Sequence, residues 1–162
     1  MKHLNEEDRM FMGVALEQAA QSAAIGEVPI GAVLVHQGTI VARSHNRRET
    51  WQDPTAHAEM IVIRESAKLL GRWRLIDTTL FVTLEPCAMC LGAVILARIP
   101  RLIFGATDPK AGACGSVLDF ASDPRLNHRV EVVGGILAED SQRMLTQFFK
   151  ELRTQQPDCR TS

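Results

Sequence analysis

The stretch LFVTLEPCAMC, residues 80–90, predicts a buried strand that runs directly into a helix. Leu80 to Leu84 form a short apolar run, which is typical of a strand covered on both faces. Pro86 follows this run, and proline is well placed in the first turn of a helix. Because residues Met89 to Ala97 are apolar nearly all round, we expect this helix to be buried in the core or against another subunit.

The residues before this stretch predict a helix, a hairpin and a second helix. Gly26 and Pro29 end the first helix, which is marked by apolar residues at helical spacing: Met12, Leu16, Ala19 and Ala23. Two β-prone runs around the turn at residues 36–38 predict the hairpin: Ile30–Val35 and Thr39–Arg43. The second helix follows Asp53-Pro54-Thr55 and is expected to carry four residues on one face: Met60, Ile63, Ala67 and Leu70.

The residues after it predict two short strands and a closing helix. The strands are expected at Leu102–Gly105 and Val130–Val133. The helix is marked by five apolar residues: Leu137, Met144, Leu145, Phe148 and Leu152. Strands that alternate with helices form parallel pairs whose faces the helices cover. The sequence therefore predicts an α/β fold, a three-layer α/β/α sandwich around a mixed sheet of about five strands.

Length and composition are those of one globular domain. The chain has 162 residues, of which 46% are hydrophobic and 23% charged. No apolar stretch reaches the roughly 18 residues that a membrane span needs, and Met1–Asp8 is polar and acidic, unlike a secretory signal. Two cysteines form a close pair and two lie far apart, which fits a reducing compartment. We expect a cytoplasmic single domain over residues 1–162, with a core at about 9–153, a polar tail at 154–162 and no membrane association.

Charge is unevenly distributed along the chain, although the net charge is only −1. Residues 43–101 carry nine basic and six acidic side chains, whereas residues 1–42 carry two basic and five acidic ones. The near-neutral total gives no support to nucleic-acid binding, for which a basic domain is the usual sign. The basic segment is also the one that holds the motifs, but these counts fit charges scattered over a solvated surface equally well.

Two short stretches have the pattern of a metal site: residues 55–59, TAHAE, and residues 85–90, EPCAMC. Each opens a predicted helix, whose positive end lowers the pKa of a thiol and stabilises the thiolate that binds metal. Two thiolates and one imidazole favour zinc, and three protein ligands leave a fourth position for water, as in catalytic sites. The sequence therefore predicts that His57, Cys87 and Cys90 bind one zinc per subunit.

Glu59 is the predicted catalytic residue. It lies two residues beyond His57 on the same helical turn but points elsewhere, so we do not expect it to share the metal. A carboxylate there suits a proton shuttle between water, a substrate base and a leaving amine. Histidine-x-glutamate followed by proline-cysteine-x-x-cysteine is the signature of zinc-dependent base deaminases, from which these roles are taken.

Two other interpretations of the cysteine pair are considered. A Cys-x-x-Cys that opens a helix after a strand is also typical of thioredoxin-like redox sites. A structural zinc site would need a fourth ligand from residues without metal-pair spacing: His36, His45, Cys114 or His128. Glu59 distinguishes these alternatives from catalysis, because a structural site has no use for an unpaired carboxylate beside its metal.

Beyond the signature, the sequence resembles the bacterial tRNA-specific adenosine deaminases over about residues 9–153. The matching stretches are 27–33, Asn46, 53–59, 74–77, 82–87, Cys90, 104–106, 108–113 and 127–131. The 108–113 and 127–131 stretches are more specific than the signature, which every zinc deaminase shares. The resemblance implies a cytidine deaminase-like fold and a homodimer that converts adenosine to inosine at the wobble position in the anticodon loop of an arginine tRNA. The alternative is a deaminase of a free base or nucleoside, of guanine or cytosine type, on the same zinc core.

The resemblance also implies substrate contacts. Asn46 would hold the flipped adenine and Asp108 would meet the neighbouring ribose, while Ile30 and Leu84 line the pocket and Phe149 lies near the RNA. The alternative is that Asn46 closes a turn and that the three apolar residues belong to the core. Phosphate contacts would come from a local basic patch, for which the candidates are Arg47, Lys110 and Arg153, with Arg43, Arg48 and Lys150 nearby in the sequence.

Overall fold

The computed structural model describes residues 5–156, so Cys159 and the last six residues of the predicted polar tail lie outside the described residues. The elements in chain order are α1 (Glu6–Ala24), β1 (Gly31–His36), β2 (Thr39–His45), α2 (Arg48–Trp51), α3 (Ala58–Leu70), β3 (Thr78–Leu84), α4 (Ala88–Leu96), β4 (Arg101–Ala106), β5 (Glu131–Val133) and α5 (Ala138–Gln155). This order confirms the predicted one, except that the one-turn helix α2 was not expected. Within residues 5–156, no helix is both long and apolar enough to cross a membrane.

The five strands form one mixed sheet in the order β2-β1-β3-β4-β5. β1 is antiparallel to both of its neighbours, whereas β3, β4 and β5 run parallel. Gln37 and Gly38 both have positive φ, at 51° and 74°, which is the geometry of a tight two-residue hairpin. The α/β fold with a five-stranded mixed sheet is confirmed.

Helices cover both faces of the sheet. α3 and α4 pack on one face, in a core cluster that includes Leu34, Leu80 and Val82. α1 and the start of α5 cover the other face, around Val33, Phe81 and other buried residues. Leu80, Phe81 and Val82 are consecutive in β3 and alternate between the two clusters, as the pleat requires. The three-layer arrangement follows from this alternation.

The predicted apolar face of α3 is only partly correct, since Ile63 is buried and Leu70 packs against the core but the other two residues differ. Met60 and Ala67 are only half-buried, whereas Ile61, Val62 and Ser66 are buried. Ser66 and the buried Glu59 are polar residues on the inward side, so the apolar spacing alone pointed to a neighbouring stripe.

The start and the surface of α4 also differ from the prediction. Cys87, rather than Pro86, is the N-cap, so the proline lies before the helix instead of in its first turn. Leu91 and Val94 are buried, but Leu96 is 69% exposed, so this helix is not covered on every side within one chain. The uncovered side is apolar, and it therefore remains available to another subunit.

Helix α1 packs closely against the first residue of β1, at the edge of the sheet where that strand begins. A Cβ atom at Gly31 would lie only 1.9 Å from the backbone oxygen of Ala15, so no larger residue fits there without movement. The Ser22 hydroxyl donates to the backbone oxygens of Val28 and Asn46, at 2.9 and 3.1 Å. α1 thus fixes the chain on both sides of the β1–β2 hairpin.

Candidate active site

A cavity of about 670 Å³ opens at one edge of the sheet, where several chain segments meet. Leu84 and Asp108 reach it from the carboxyl ends of the parallel strands β3 and β4. Because β1 is antiparallel to β3, the start of β1 and the end of β2 lie at the same edge, and they contribute Ile30 and Asn46. Phe149 of α5 also lines the cavity. The carboxyl ends of strands in open α/β sheets are the usual location of ligand sites.

His57 and Cys87 occupy the same position on two different helices. His57 is the N-cap of α3 and Cys87 the N-cap of α4, both with extended backbone and neither with a side-chain capping bond. Their side chains are therefore free to point towards each other instead of closing the helix ends. Cys90 lies three residues after Cys87, so both sulfur atoms lie on the same face of α4.

The three donor atoms converge at short range. The His57 Nδ1 atom is 3.7 Å from the Cys87 Sγ atom and 3.5 Å from the Cys90 Sγ atom. All three ligand atoms lie within 4.8 Å of one another, close enough for one metal ion to bind them together. Two sulfurs and one imidazole nitrogen are the donor set that zinc prefers, so the residues present fit a zinc ion.

The protonation states of the two thiols are coupled. The contact with the Cys90 thiol lowers the pKa of Cys87 to about 3, and the ring of His57 contributes in the same direction. The same contact between the thiols, together with burial and the charge of Glu59, raises the pKa of Cys90 above its ordinary value. The thiolate form of Cys87, which binds cations, is therefore favoured, and binding of a metal by Cys90 requires loss of its proton.

Glu59 lies at the bottom of the cavity beside this cluster. Only 4% of the residue is exposed, and its carboxylate accepts a hydrogen bond of 3.1 Å from the Cys90 thiol. Burial raises the pKa of Glu59, so its carboxylate binds a proton more readily than an exposed one would. A buried carboxylate adjacent to a metal-binding cluster is suited to proton transfer.

Asn46 offers an amide to the cavity. The residue is 2% exposed, its backbone N–H donates to the Ile30 oxygen at 3.0 Å, and its backbone oxygen accepts from Ser22. Neither side-chain amide atom has a hydrogen-bond partner within the described residues. A donor and an acceptor on a residue whose backbone is held in place can therefore pair with a ligand. Half-buried Ile30 and Leu84 supply apolar cavity wall.

The candidate RNA-contacting residues are divided between the cavity and the surface beside it. Phe149 is 43% exposed and lines the cavity, as do Lys110 and Arg153. Arg47 does not line it, because its guanidinium lies over the exposed Trp51 ring, 5.3 Å from the ring centroid. Arg48, the next residue, does line the cavity.

Sequence reasoning missed part of the wall that α5 contributes. Besides the two residues of α5 that were predicted, five residues from its length and its end line the cavity: Gln142, Leu145, Thr146, Leu152 and Gln156. Their spacing of three or four residues is a helical face, but the same spacing is equally typical of a core-facing helix. Glu85 also lines the cavity, although it was quoted only as part of a motif.

The residues considered as a fourth structural ligand are used elsewhere or lie apart. His36 pairs with Asp77 at 2.7 Å, and the His45 ring contacts the Asn46 backbone oxygen at 3.1 Å. His128 contacts the Ile99 oxygen at 2.8 Å. Among residues 5–156, the side chains that are close enough to share a metal are those of His57, Cys87 and Cys90, and Cys114 is not one of them.

The comparisons with known proteins agree with this geometry. The chain matches the MafB19-like deaminase family over residues 5–153. It is 51% identical to the tRNA-specific adenosine deaminase of Bacillus subtilis over 154 residues, which cover 95% of this chain and 96% of that protein. The chain belongs to the tRNA-specific adenosine deaminase family.

Solved structures extend the comparison to the fold. A structure from a study of A-to-I editing by tRNA:A34 deaminases at the wobble position of transfer RNA has a TM-score of 0.81 and 47% identity, covering 84% of this chain and 99% of that one. A guanine deaminase from Bacillus subtilis is more distant, with a TM-score of 0.60 and 30% identity over 98% of this chain and 99% of that one. Membership of the tRNA-specific adenosine deaminase family makes the chain a hydrolytic deaminase rather than a redox or structural zinc domain.

We predict that metal binding depends on each of the three converging residues. His57→Ala, Cys87→Ala and Cys90→Ala should each lose the metal, because two remaining ligands cannot hold it firmly. Cys114→Ala is the matched control and should retain it, since Cys114 lies outside the cluster. Elemental analysis of the purified proteins measures the outcome, and full metal content in Cys87→Ala would contradict the assignment.

Proposed function

We propose that this chain deaminates adenosine to inosine at the wobble position of a tRNA anticodon, in the cytoplasm, and that the substrate is an arginine tRNA. Family membership supports the reaction, and the family resemblance supports the choice of tRNA. The observation that carries the proposal is the close approach of Glu59 to the His57, Cys87 and Cys90 cluster at the bottom of the cavity. A metal cluster with an adjacent buried carboxylate suits hydrolysis of a carbon–nitrogen bond.

The metal is proposed to be zinc, one ion per subunit, held by His57, Cys87 and Cys90. A zinc ion there would supply a Lewis acid that makes water a nucleophile near neutral pH. The two helix N-termini that carry His57 and Cys87 strengthen this site, because their unpaired amides favour the thiolate forms of the ligands.

Glu59 is proposed to move the protons of the reaction. Water adds to carbon C6 of adenine, and Glu59 takes a proton from that water and gives it to the adjacent ring nitrogen. Glu59 then carries the second proton to the exocyclic amine, so that the carbon–nitrogen bond breaks and ammonia leaves. Because Glu59 is buried and does not belong to the ligand cluster, it can take up and release protons without any change in the ligands of the metal.

Asn46 is proposed to orient the flipped base. Its amide presents a donor and an acceptor, and a purine edge offers the complementary groups. Ile30 and Leu84 contact the faces of the ring as apolar wall, while Asp108 meets the neighbouring ribose at the mouth of the cavity. A single-stranded anticodon loop suits this site because its bases can be turned outward at low cost.

The remaining RNA contacts are proposed to lie around the cavity mouth. Phe149 offers an exposed ring on which a base can stack, and Lys110 and Arg153 offer positive charge to the phosphates. Arg47 would add a phosphate contact beside the cavity. A local patch of this kind explains how a chain with a net charge of −1 could still bind RNA.

We predict that Glu59→Ala retains the metal and the fold but is nearly inactive. The single-turnover rate of inosine formation on tRNA should fall by about 10²- to 10⁴-fold, the usual contribution of general acid–base catalysis, or by more. Glu59→Gln should behave in the same way, because its amide keeps the shape but cannot carry the proton. RNA binding should persist, so that either variant traps substrate.

Glu65→Ala is the matched control, because Glu65 lies on the same helix α3 but is exposed. It should retain the parent rate. A metal-loaded Glu59→Ala enzyme within a few-fold of the parent would rule out the proposed mechanism. Parallel assays on free guanine, cytosine and their nucleosides distinguish the proposed substrate from the alternative, since rapid turnover of a free base without turnover of tRNA would overturn it.

Two further substitutions are predicted to separate base positioning from phosphate binding. Asn46→Ala should lower turnover more than RNA affinity, because its amide would contact only the flipped base. Arg153→Gln should instead weaken RNA binding and flatten its salt dependence, because each phosphate contact releases counterions. Affinity measured over a salt series and single-turnover rates test both, and unchanged turnover in Asn46→Ala would refute its role.

The chain is further proposed to be a homodimer that uses the uncovered face of α4. Met89, Ala93 and Leu96 on that face are not fully buried within one chain. Trp73 and Ile76 are also exposed. They flank Leu75, whose backbone N–H donates to the oxygen of Ala97 at the carboxyl end of α4. Exposed apolar residues on neighbouring segments are typical of a subunit interface.

We predict that light scattering at micromolar concentration gives a mass of twice the 17.9 kDa of one chain. Leu96→Glu should shift the protein towards the monomer, because it places a charge in the apolar patch. Met10→Glu is the control, since Met10 is similarly exposed but lies on α1, on the other side of the sheet. A monomeric parent protein would contradict the proposal.

A further inference from the structure

Glu85 joins the metal-ligand turn to the wall of the cavity. It follows β3 directly, precedes Cys87 by two residues and is only 3% exposed. Its side chain reaches across to residues 107–118, the segment after β4, which we call the Asp108 loop. The Oε1 atom accepts hydrogen bonds from the backbone N–H groups of Cys114 and Ser116, at 3.0 and 3.1 Å. The Oε2 atom accepts from the Asp108 N–H at 2.9 Å and from the Ser116 hydroxyl.

This hydrogen-bonding pattern requires a carboxylate. Both oxygens of Glu85 face donors, and three of the four donors are backbone N–H groups that cannot act as acceptors. An ionised carboxylate accepts on both oxygens, whereas an amide accepts on only one. A shorter side chain would not span the distance from the end of β3 to the loop. Glutamate is therefore matched to this position in both charge and length.

The Asp108 loop is folded tightly around the carboxylate. A Cβ atom at Gly112 would lie 2.3 Å from the Glu85 Oε2 atom, so the loop can approach only because position 112 has no side chain. The Gly112 N–H donates to the Asp108 backbone oxygen at 2.9 Å, and the Ala113 N–H donates to the Pro86 oxygen at 2.9 Å. The loop is thus bonded both to Glu85 and to the residue that follows it.

We propose that Glu85 is a positioning residue that locks the Asp108 loop to the turn carrying Cys87, so that the cavity wall and the metal ligands keep one relative geometry. Glu85 acts through its neighbours and needs no contact with the reacting atoms. On one side its backbone leads directly into the turn of Cys87, and on the other its carboxylate fixes the backbone of Asp108. The proposal rests on the proposed function for its catalytic consequence, but the locking of the loop can be measured independently.

Glu85→Gln is the substitution that tests the lock. Its amide can keep one oxygen towards Cys114 and Ser116, which places its NH₂ group against the N–H of Asp108. The Ser116 hydroxyl can rotate to accept from that NH₂ group, whereas the Asp108 N–H cannot. The loss should therefore be concentrated at Asp108, with kcat/KM on tRNA reduced about 10- to 100-fold, as for one hydrogen bond to a charged group.

Three measurements separate positioning from a general loss of stability. Amide hydrogen exchange in peptides covering residues 107–118 should become faster in Glu85→Gln, while the metal content stays at the parent value. Asp8→Asn is the matched control, because Asp8 is also a buried carboxylate and bonds to Arg101 at the far end of β4. It should lower the unfolding temperature without changing loop exchange or kcat/KM under folded conditions.

A double-mutant cycle with Asp108→Asn provides the readout that a structural role would not change. The Asp108 Oδ1 atom accepts hydrogen bonds from the N–H groups of Lys110 and Ala111, at 3.0 and 3.3 Å. Asp108→Asn keeps an oxygen that can accept both. If Glu85 acts by placing Asp108, the two substitutions together should cost little more activity than the larger of them alone. The pair Asp8→Asn and Asp108→Asn should show no such coupling.

The outcomes are distinct. Unchanged loop exchange in Glu85→Gln, or fully additive losses with Asp108→Asn, would overturn the proposal. If Glu85→Gln does not fold, Ser116→Ala replaces it: removal of one hydroxyl donor should speed loop exchange and lower kcat/KM about three- to tenfold, and an unchanged loop would overturn the lock. If the parent protein does not deaminate tRNA, the proposed function fails, whereas faster loop exchange in Glu85→Gln would still support the lock.

Discussion

The parallel pairing of β3 with β4 is the constraint on which the rest of the site depends. Parallel neighbours cannot be joined by a tight turn, so the chain must cross over the sheet, and α4 provides that crossing. The crossing begins where β3 ends, which places Cys87 at the carboxyl edge of the sheet. β4 ends at the same edge and delivers Asp108 there. Ligand-binding and wall-forming residues from distant parts of the sequence therefore meet because of strand direction.

Electrostatics at this edge is set locally rather than by the net charge. Two helix N-termini point their unpaired amides into the region occupied by His57 and Cys87. The same region contains the buried carboxylates of Glu59 and Glu85. These carboxylates are kept apart by their partners, since Glu59 contacts a thiol and Glu85 contacts backbone N–H groups. The field at the site thus combines fixed positive dipoles with negative groups that have separate roles.

How far the sequence alone could predict this arrangement depends on the range of the interactions. The helix starts at His57 and Cys87 are local features, and the strand that precedes Cys87 is a continuous apolar run, so the cluster able to bind a metal could be predicted from the sequence. The inward face of α3 could not, because Ser66 and Glu59 interrupt its apolar stripe. The cavity wall on α5 has the same periodicity as a core face. The bonds of Glu85 connect residues 23 to 31 positions apart in the chain, and no local pattern encodes them.

The contact between α1 and the edge of the sheet has a consequence for how this enzyme tolerates change. No residue of α1 lines the cavity, yet the helix backbone lies directly against Gly31 and the Ser22 hydroxyl holds the main chain at Asn46. The depth at which the Asn46 amide is presented is therefore determined by a helix in the outer layer. If Asn46 orients the base as proposed, substitutions that shift α1 would alter selectivity for the base without touching any cavity residue. Variants chosen by distance from the substrate would overlook this helix.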